Sequence, residues 1–184
     1  MDSEQPSDGE LRGPAASGEE VYQGLRAQIL GLDPAAAGLQ QGQAHAALWG
    51  ALMETGYPRG TATLVSLADG TTSLYLSTGG GIIGGGFHQA VATATRSFLE
   101  ELERHLPMLQ PDPDAALPAV GRVRIRALTY TGRLFAEASE DDLGYGSHQL
   151  SPVFHAAHRV ITELRLIDEA REGNDDSRRA EPQS

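Results

Sequence analysis

TATLVSLADGTTSLYLSTGGGIIGGG, residues Thr61 to Gly86, decides how the chain is read. Thr63, Val65 and Leu67 share one side of a strand, and Ala62, Leu64 and Ser66 share the other. Apolar residues on both sides predict a strand inside a sheet that is covered on both faces. Asp69-Gly70 is a hairpin signal, because the turn needs positive φ and glycine supplies it without steric cost. The return strand is expected over Thr71–Ser77, with Leu74 and Leu76 on one side and Ser73, Tyr75 and Ser77 on the other.

Two glycine triplets around Ile82-Ile83 then stop the strand. Such a run fills no core, and ordering it costs backbone entropy, so something must compensate. Two readings stay open. The backbone N–H groups of Gly79, Gly80, Gly81, Gly84, Gly85 and Gly86 can converge on an anion beside the next helix, with His88 in its first turn. Alternatively, the loop is a crossover where another backbone packs closely. The run is not a phosphate loop. Gly79-Gly81-Gly84 fits the dinucleotide spacing only because glycine is so abundant here, and no acidic residue stands about twenty positions on at the end of a second strand.

Composition removes several chemistries. The 184 residues suit one domain with a sizeable core. All 14 basic residues are arginine, which excludes lysine Schiff bases and lysine general bases. There is no cysteine, hence no disulfide, thiol nucleophile or cysteine-held metal. Arginine without lysine, with abundant Ala and Gly, points to a GC-rich bacterial genome. No apolar run reaches membrane-spanning length and no basic-then-apolar leader opens the sequence, so a soluble cytoplasmic protein is expected. The net charge of −11 is concentrated near the ends: residues 1–20 carry −5 and residues 168–184 carry −3, leaving −3 for the middle. That distribution argues against nucleic acid as a partner.

In chain order, residues 1–17 form an expected disordered acidic tail, residues 18–168 a single domain, and residues 169–184 a second disordered tail. Ser17-Gly-Glu-Glu20 is a capping box that opens a helix. Asp33-Pro34 suggests a second helix start, and Leu48, Trp49, Leu52 and Met53 predict a helix over 44–54 with Trp49 in the core. The clearest helix is expected over 87–106, with Phe87, Val91, Ala94, Phe98 and Leu102 as its apolar stripe. Arg122–Tyr130 alternates, Val123 and Ile125 inward and Arg122, Arg124 and Arg126 outward. Thr131-Gly132 turns it into a partner strand over 134–139. The last helix is expected over 153–167, capped by Ser151-Pro152.

The order α-α-β-β-α-β-β-α implies an α+β domain: a mainly antiparallel sheet of two hairpins with helices packed on it. Over about residues 44–167 this order is similar to roadblock and longin-type domains of the profilin-like group.

Candidate chemistry is sparse. His155 and His158 share a helix face, and His148 is close in sequence, but no carboxylate stands at ligand spacing, so capping or solvent-facing roles are expected and no metal is called for. His88 with Ser77, Ser73 or Asp69 lacks a nucleophile elbow, so no catalytic set is assigned. Arg122, Arg124 and Arg126 can bind a carboxylate or phosphate, or pair with cross-strand Glu137. The expectation is therefore a non-catalytic protein–protein interaction module without cofactor, partnered by itself as a homodimer or by another protein. The alternatives are a binder of an anionic small molecule, or an enzyme acting on one, that uses the Gly79–Gly86 loop and Arg122, Arg124 or Arg126, and an immunity-type inhibitor.

Overall fold

The computed structural model describes residues 16–42 and 45–180. The expected tail of residues 1–17 lies outside them except for Ala16 and Ser17. The fold is α+β, with one seven-stranded sheet whose strand pairings are all antiparallel. Helix α1 (Gly18–Leu30) is followed by β1 (Leu48–Tyr57), β2 (Gly60–Leu67), β3 (Thr72–Leu76) and the two-residue β4 (Gly81–Ile82). Then come α2 (Gln89–His105), β5 (Gln110–Pro111), β6 (Arg122–Thr129), β7 (Gly132–Ser139), the short α3 (Glu140–Gly144) and α4 (Ser151–Ala180). The sheet order is β4-β3-β2-β1-β6-β7-β5.

The hairpin read from Asp69-Gly70 forms as expected. Thr63 faces Tyr75 and Val65 faces Ser73 across it. Both faces of β2 are buried. Leu64 joins Met53 and Ile125 beneath Phe98 and Leu102 of α2 and Val160 and Leu164 of α4. Val65 joins Trp49, Leu52 and Leu128 beneath Tyr22 of α1. The capping box forms in full, with Glu20 N–H donating to Ser17 Oγ and Ser17 N–H donating to the Glu20 carboxylate at 2.7 Å.

The helix expected over 44–54 is instead β1, the centre of the sheet, so the order α-α-β-β-α-β-β-α is corrected at its second element. Leu48, Leu52 and Met53 suit a helical face, but sheet packing overrides that local preference. Met53 goes to the α2–α4 face and Leu52 to the α1 face, and Trp49 is buried as a strand residue. Two glycines fit β1 into place: a Cβ on Gly50 would press on Leu67, and one on Gly56 would overlap the Ala119 carbonyl. No second helix starts at Asp33-Pro34; the chain makes turns there. The last helix runs past Ile167 to Ala180, so residues 169–180 are helical rather than a disordered tail.

Candidate functional site

The glycine run forms one margin of the sheet. Ile82 pairs with Leu74 and Gly81 with Tyr75, and Gly86 then lies against the carbonyl of Gly70. Residues 81–86 therefore track the free side of β3 over its whole length. Most of these glycines mark close approaches. Gly79 meets Gly18 at the start of α1, Gly81 lies on the Leu74 carbonyl, and Gly85 lies on Leu164 of α4. Gly81 (φ +150°) and Gly84 (φ +76°) also occupy backbone regions that a side chain disfavours. Gly80 has open space where a Cβ would stand.

This margin carries exposed apolar side chains. Ile82 tucks into the core, whereas Ile83 is 63% exposed and Phe87 97% exposed. Phe87 was expected on the α2 stripe, but the helix begins only at Gln89. Phe87 sits in the 3-10 turn Gly85–Phe87 and points away from the Val91–Phe98–Leu102 face. Leu76 of β3 and Val21 of α1 add further exposed apolar surface. From Gly70 to Thr95 there is no Asp, Glu, Lys or Arg. His88 lies 3.3 Å from Arg171 of α4 through its Nε2.

The arginines lie elsewhere. Three strands separate β4 from β6 in the sheet, so Arg122, Arg124 and Arg126 do not meet the glycine loop or His88. They occupy the α1 side of the sheet among acids. Arg126 is fully buried, paired with Glu54 of β1 and, at 3.0 Å, with Asp112 just after β5; it also donates to the Ala116 carbonyl. Burial pushes its pKa down to about 10. Arg26 of α1 reaches the other side of Glu54 at 2.5 Å, and burial lowers its pKa as well. Arg133 lies 3.6 Å from Asp112, whose pKa burial raises. Arg122 and Arg124 share the cross-strand partner Glu137, and Arg124 stacks on the Phe135 ring at 4.9 Å. Tyr22 hydroxyl bonds Thr63 at 2.8 Å beside Glu54. This network ties α1, β1, β6 and the segment after β5 into one unit, and each of its arginines has an acidic protein partner.

Among the described residues no group of three or more His, Asp or Glu could hold a metal ion. His158 is half-buried against Phe154, ring centroids 4.2 Å apart, and burial lowers its pKa. His155 is exposed on the same helix. No described helix is long and apolar enough to cross a membrane. Comparison of the chain with protein families, curated proteins and solved structures finds no match.

Sequence reasoning picked out the glycine run but placed Phe87 inside α2 and never singled out Glu54, Asp112 or Arg26. Glu54 gave one local signal, an acid inside an otherwise apolar stretch between Leu48 and Tyr57. Such a residue demands a buried partner once its segment is a strand covered on both faces.

Proposed function

We propose that this chain is a non-catalytic bacterial interaction module of the cytoplasm that associates with another protein, first of all a second copy of itself, through the margin formed by residues 81–87. One observation carries the reading: a sheet edge free of charge from Gly70 to Thr95 that exposes Ile83 and Phe87. Edge strands that stay solitary are ordinarily guarded by charges, proline or a cover. Exposed contiguous apolar surface of this kind marks contact sites. The edge is isologous by nature, because two copies can present the same uncharged strip to each other. A roadblock- or longin-like architecture is part of the same proposal, supported by five strands of five or more residues in one antiparallel sheet with helices on both faces.

Sedimentation velocity tests it. The wild-type chain is expected to sediment as a dimer at tens of micromolar, and Phe87→Asp and Ile83→Asp as monomers with unchanged thermal melts. A monomeric wild type, or variants that remain dimeric, refutes the assignment of this edge.

A further inference from the structure

At the opposite side of the sheet, β7 is only half covered. Its inner side pairs with β6 along its full length, from Gly132 to Ser139. Its outer side pairs with β5 at Leu134 and Phe135 alone, and Asp112 N–H takes the Arg133 carbonyl. That last bond fixes the phase. In an antiparallel ladder the outward main-chain groups recur every second residue, so those of Arg133, Phe135 and Glu137 face out. The first two meet β5 and its continuation. The third meets no protein group among the described residues, because the chain reaches β5 through the 3-10 turn Leu106–Met108 rather than along β7.

A cleft of about 580 Å³ opens at that place. Its floor is residues 135–137 of β7, one wall is residues 108–110, and the other is residues 147–150 between α3 and α4. Met108 is half-exposed on the first wall and Leu150 is buried at the base of the second. His148 is oriented: its Nδ1 accepts the Leu150 N–H at 3.1 Å, so the neutral ring carries its proton on Nε2. The only carboxylate in the lining, Glu137, is already held by Arg122 and Arg124. The cleft therefore offers a bare main-chain donor and acceptor, walls that mix apolar Met108, Leu109 and Leu150 with uncharged polar groups, and no free charge.

We infer that the cleft receives an extended, uncharged peptide segment of another protein, which adds beside β7 in line with β5. Strand addition uses main-chain hydrogen bonds for affinity and alternate side chains for specificity, and this edge supplies both the bare groups and a walled slot. An alternating peptide fits, one apolar side chain resting between Met108 and Leu150 and its neighbours facing the polar rim of Gln110 and Ser147. Residues 1–15 carry four acids against one arginine and so are not the uncharged segment that this cleft takes, and segments of the same chain start at a distance. Helix α1 begins against Gly79 at the other margin, across seven strands and roughly 29 Å of sheet. Helix α4 begins beside the cleft but its 30 residues carry the chain about 45 Å along its axis.

The test selects binders from a random heptapeptide display library on the full-length protein, then measures the chosen peptides by calorimetry and NMR. The Glu137 amide is expected to exchange freely in the unbound protein and to become protected on binding, while Phe135 is protected throughout. Methylating the peptide nitrogens one at a time is expected to weaken binding about tenfold at the single position that donates to the Glu137 carbonyl and little elsewhere, since one lost main-chain bond and its blocked neighbour cost on that scale. Met108→Asp is expected to weaken binding about tenfold, and Phe87→Asp to leave it unchanged, which separates this site from the dimer edge. A library without binders, binders that need Phe87 rather than Met108, an N-methyl profile without a single sensitive position, or a Glu137 amide protected before binding each overturns the inference.

Discussion

The two margins of this sheet are built on opposite principles. The β4 margin contains no charge, is held by backbone-to-backbone approaches at glycines, and displays Ile83 and Phe87 as side chains. The β5 margin carries Pro111, Asp112, Pro113 and Asp114, is pinned by Arg126 and Arg133 on Asp112, and exposes main chain only inside a cleft. Proline and charge are ordinary guards against promiscuous pairing. One margin is thus defended and the other is not. The lesson is that sheet edges must be judged singly: a broad apolar strip suits another folded surface, whereas a recessed strand suits a linear segment.

Five substitutions sharpen or break that contrast. Arg126→Met removes the cation shared by Glu54 and Asp112 and leaves Glu54 to Arg26 and Asp112 to Arg133 alone, so it is expected to cost about 3–5 kcal/mol by urea unfolding. A cost below 1 kcal/mol means the defended margin is not held by its ion network. Gly81→Ala asks the same of the other margin. Its Cβ overlaps the Leu74 carbonyl and its φ is disfavoured, so a loss of about 1–3 kcal/mol is expected, with the proposed dimerisation weakened because β4 shifts. Gly80→Ala, with open space at the Cβ but positive φ, is the milder control. Ser17→Ala removes the cap of the helix that rests on Gly79 and is expected to cost about 1 kcal/mol, read as a lower melting temperature. Phe87→Asp is expected to have the smallest effect on stability, within about 0.5 kcal/mol because the ring is 97% exposed, while abolishing the proposed self-association. A large stability loss there would show that the ring belongs to the core and that the contrast between margins is false.

The sequence made the β2–β3 hairpin legible because alternation and Asp69-Gly70 are local signals. The same holds for α1, where Ser17 and Glu20 sit three apart. Strand β1 was misread because Leu48, Leu52 and Met53 satisfy a helical period, and what decides for a strand is the space at Gly50 and Gly56, set by Leu67, Ala119 and other distant residues. Phe87 was misplaced because the start of α2 is fixed by Gly85 packing on Leu164, a contact between segments far apart in sequence. Of the arginine ladder, Glu137 was visible as the cross-strand partner of Arg122 and Arg124. Glu54 and Asp112 were not, because they converge on Arg126 from separate strands and loops.

The position of β1 has a consequence for how the chain is made. Leu52 lies beside Val65 on one side and Arg126 on the other. During synthesis the meander β1–β4 can form early from neighbouring residues, but the second side of β1 waits for β6 to leave the ribosome. Non-local pairing of this kind is slow, and a waiting strand is open to wrong partners. Glu54 stands in the middle of that waiting strand as a charge still lacking Arg126. In the finished protein it is a buried partner of both Arg26 and Arg126; in the nascent chain, with Arg26 alone beside it, it is a gatekeeper, making any wrong pairing that displaces Arg26 bury an unmatched carboxylate.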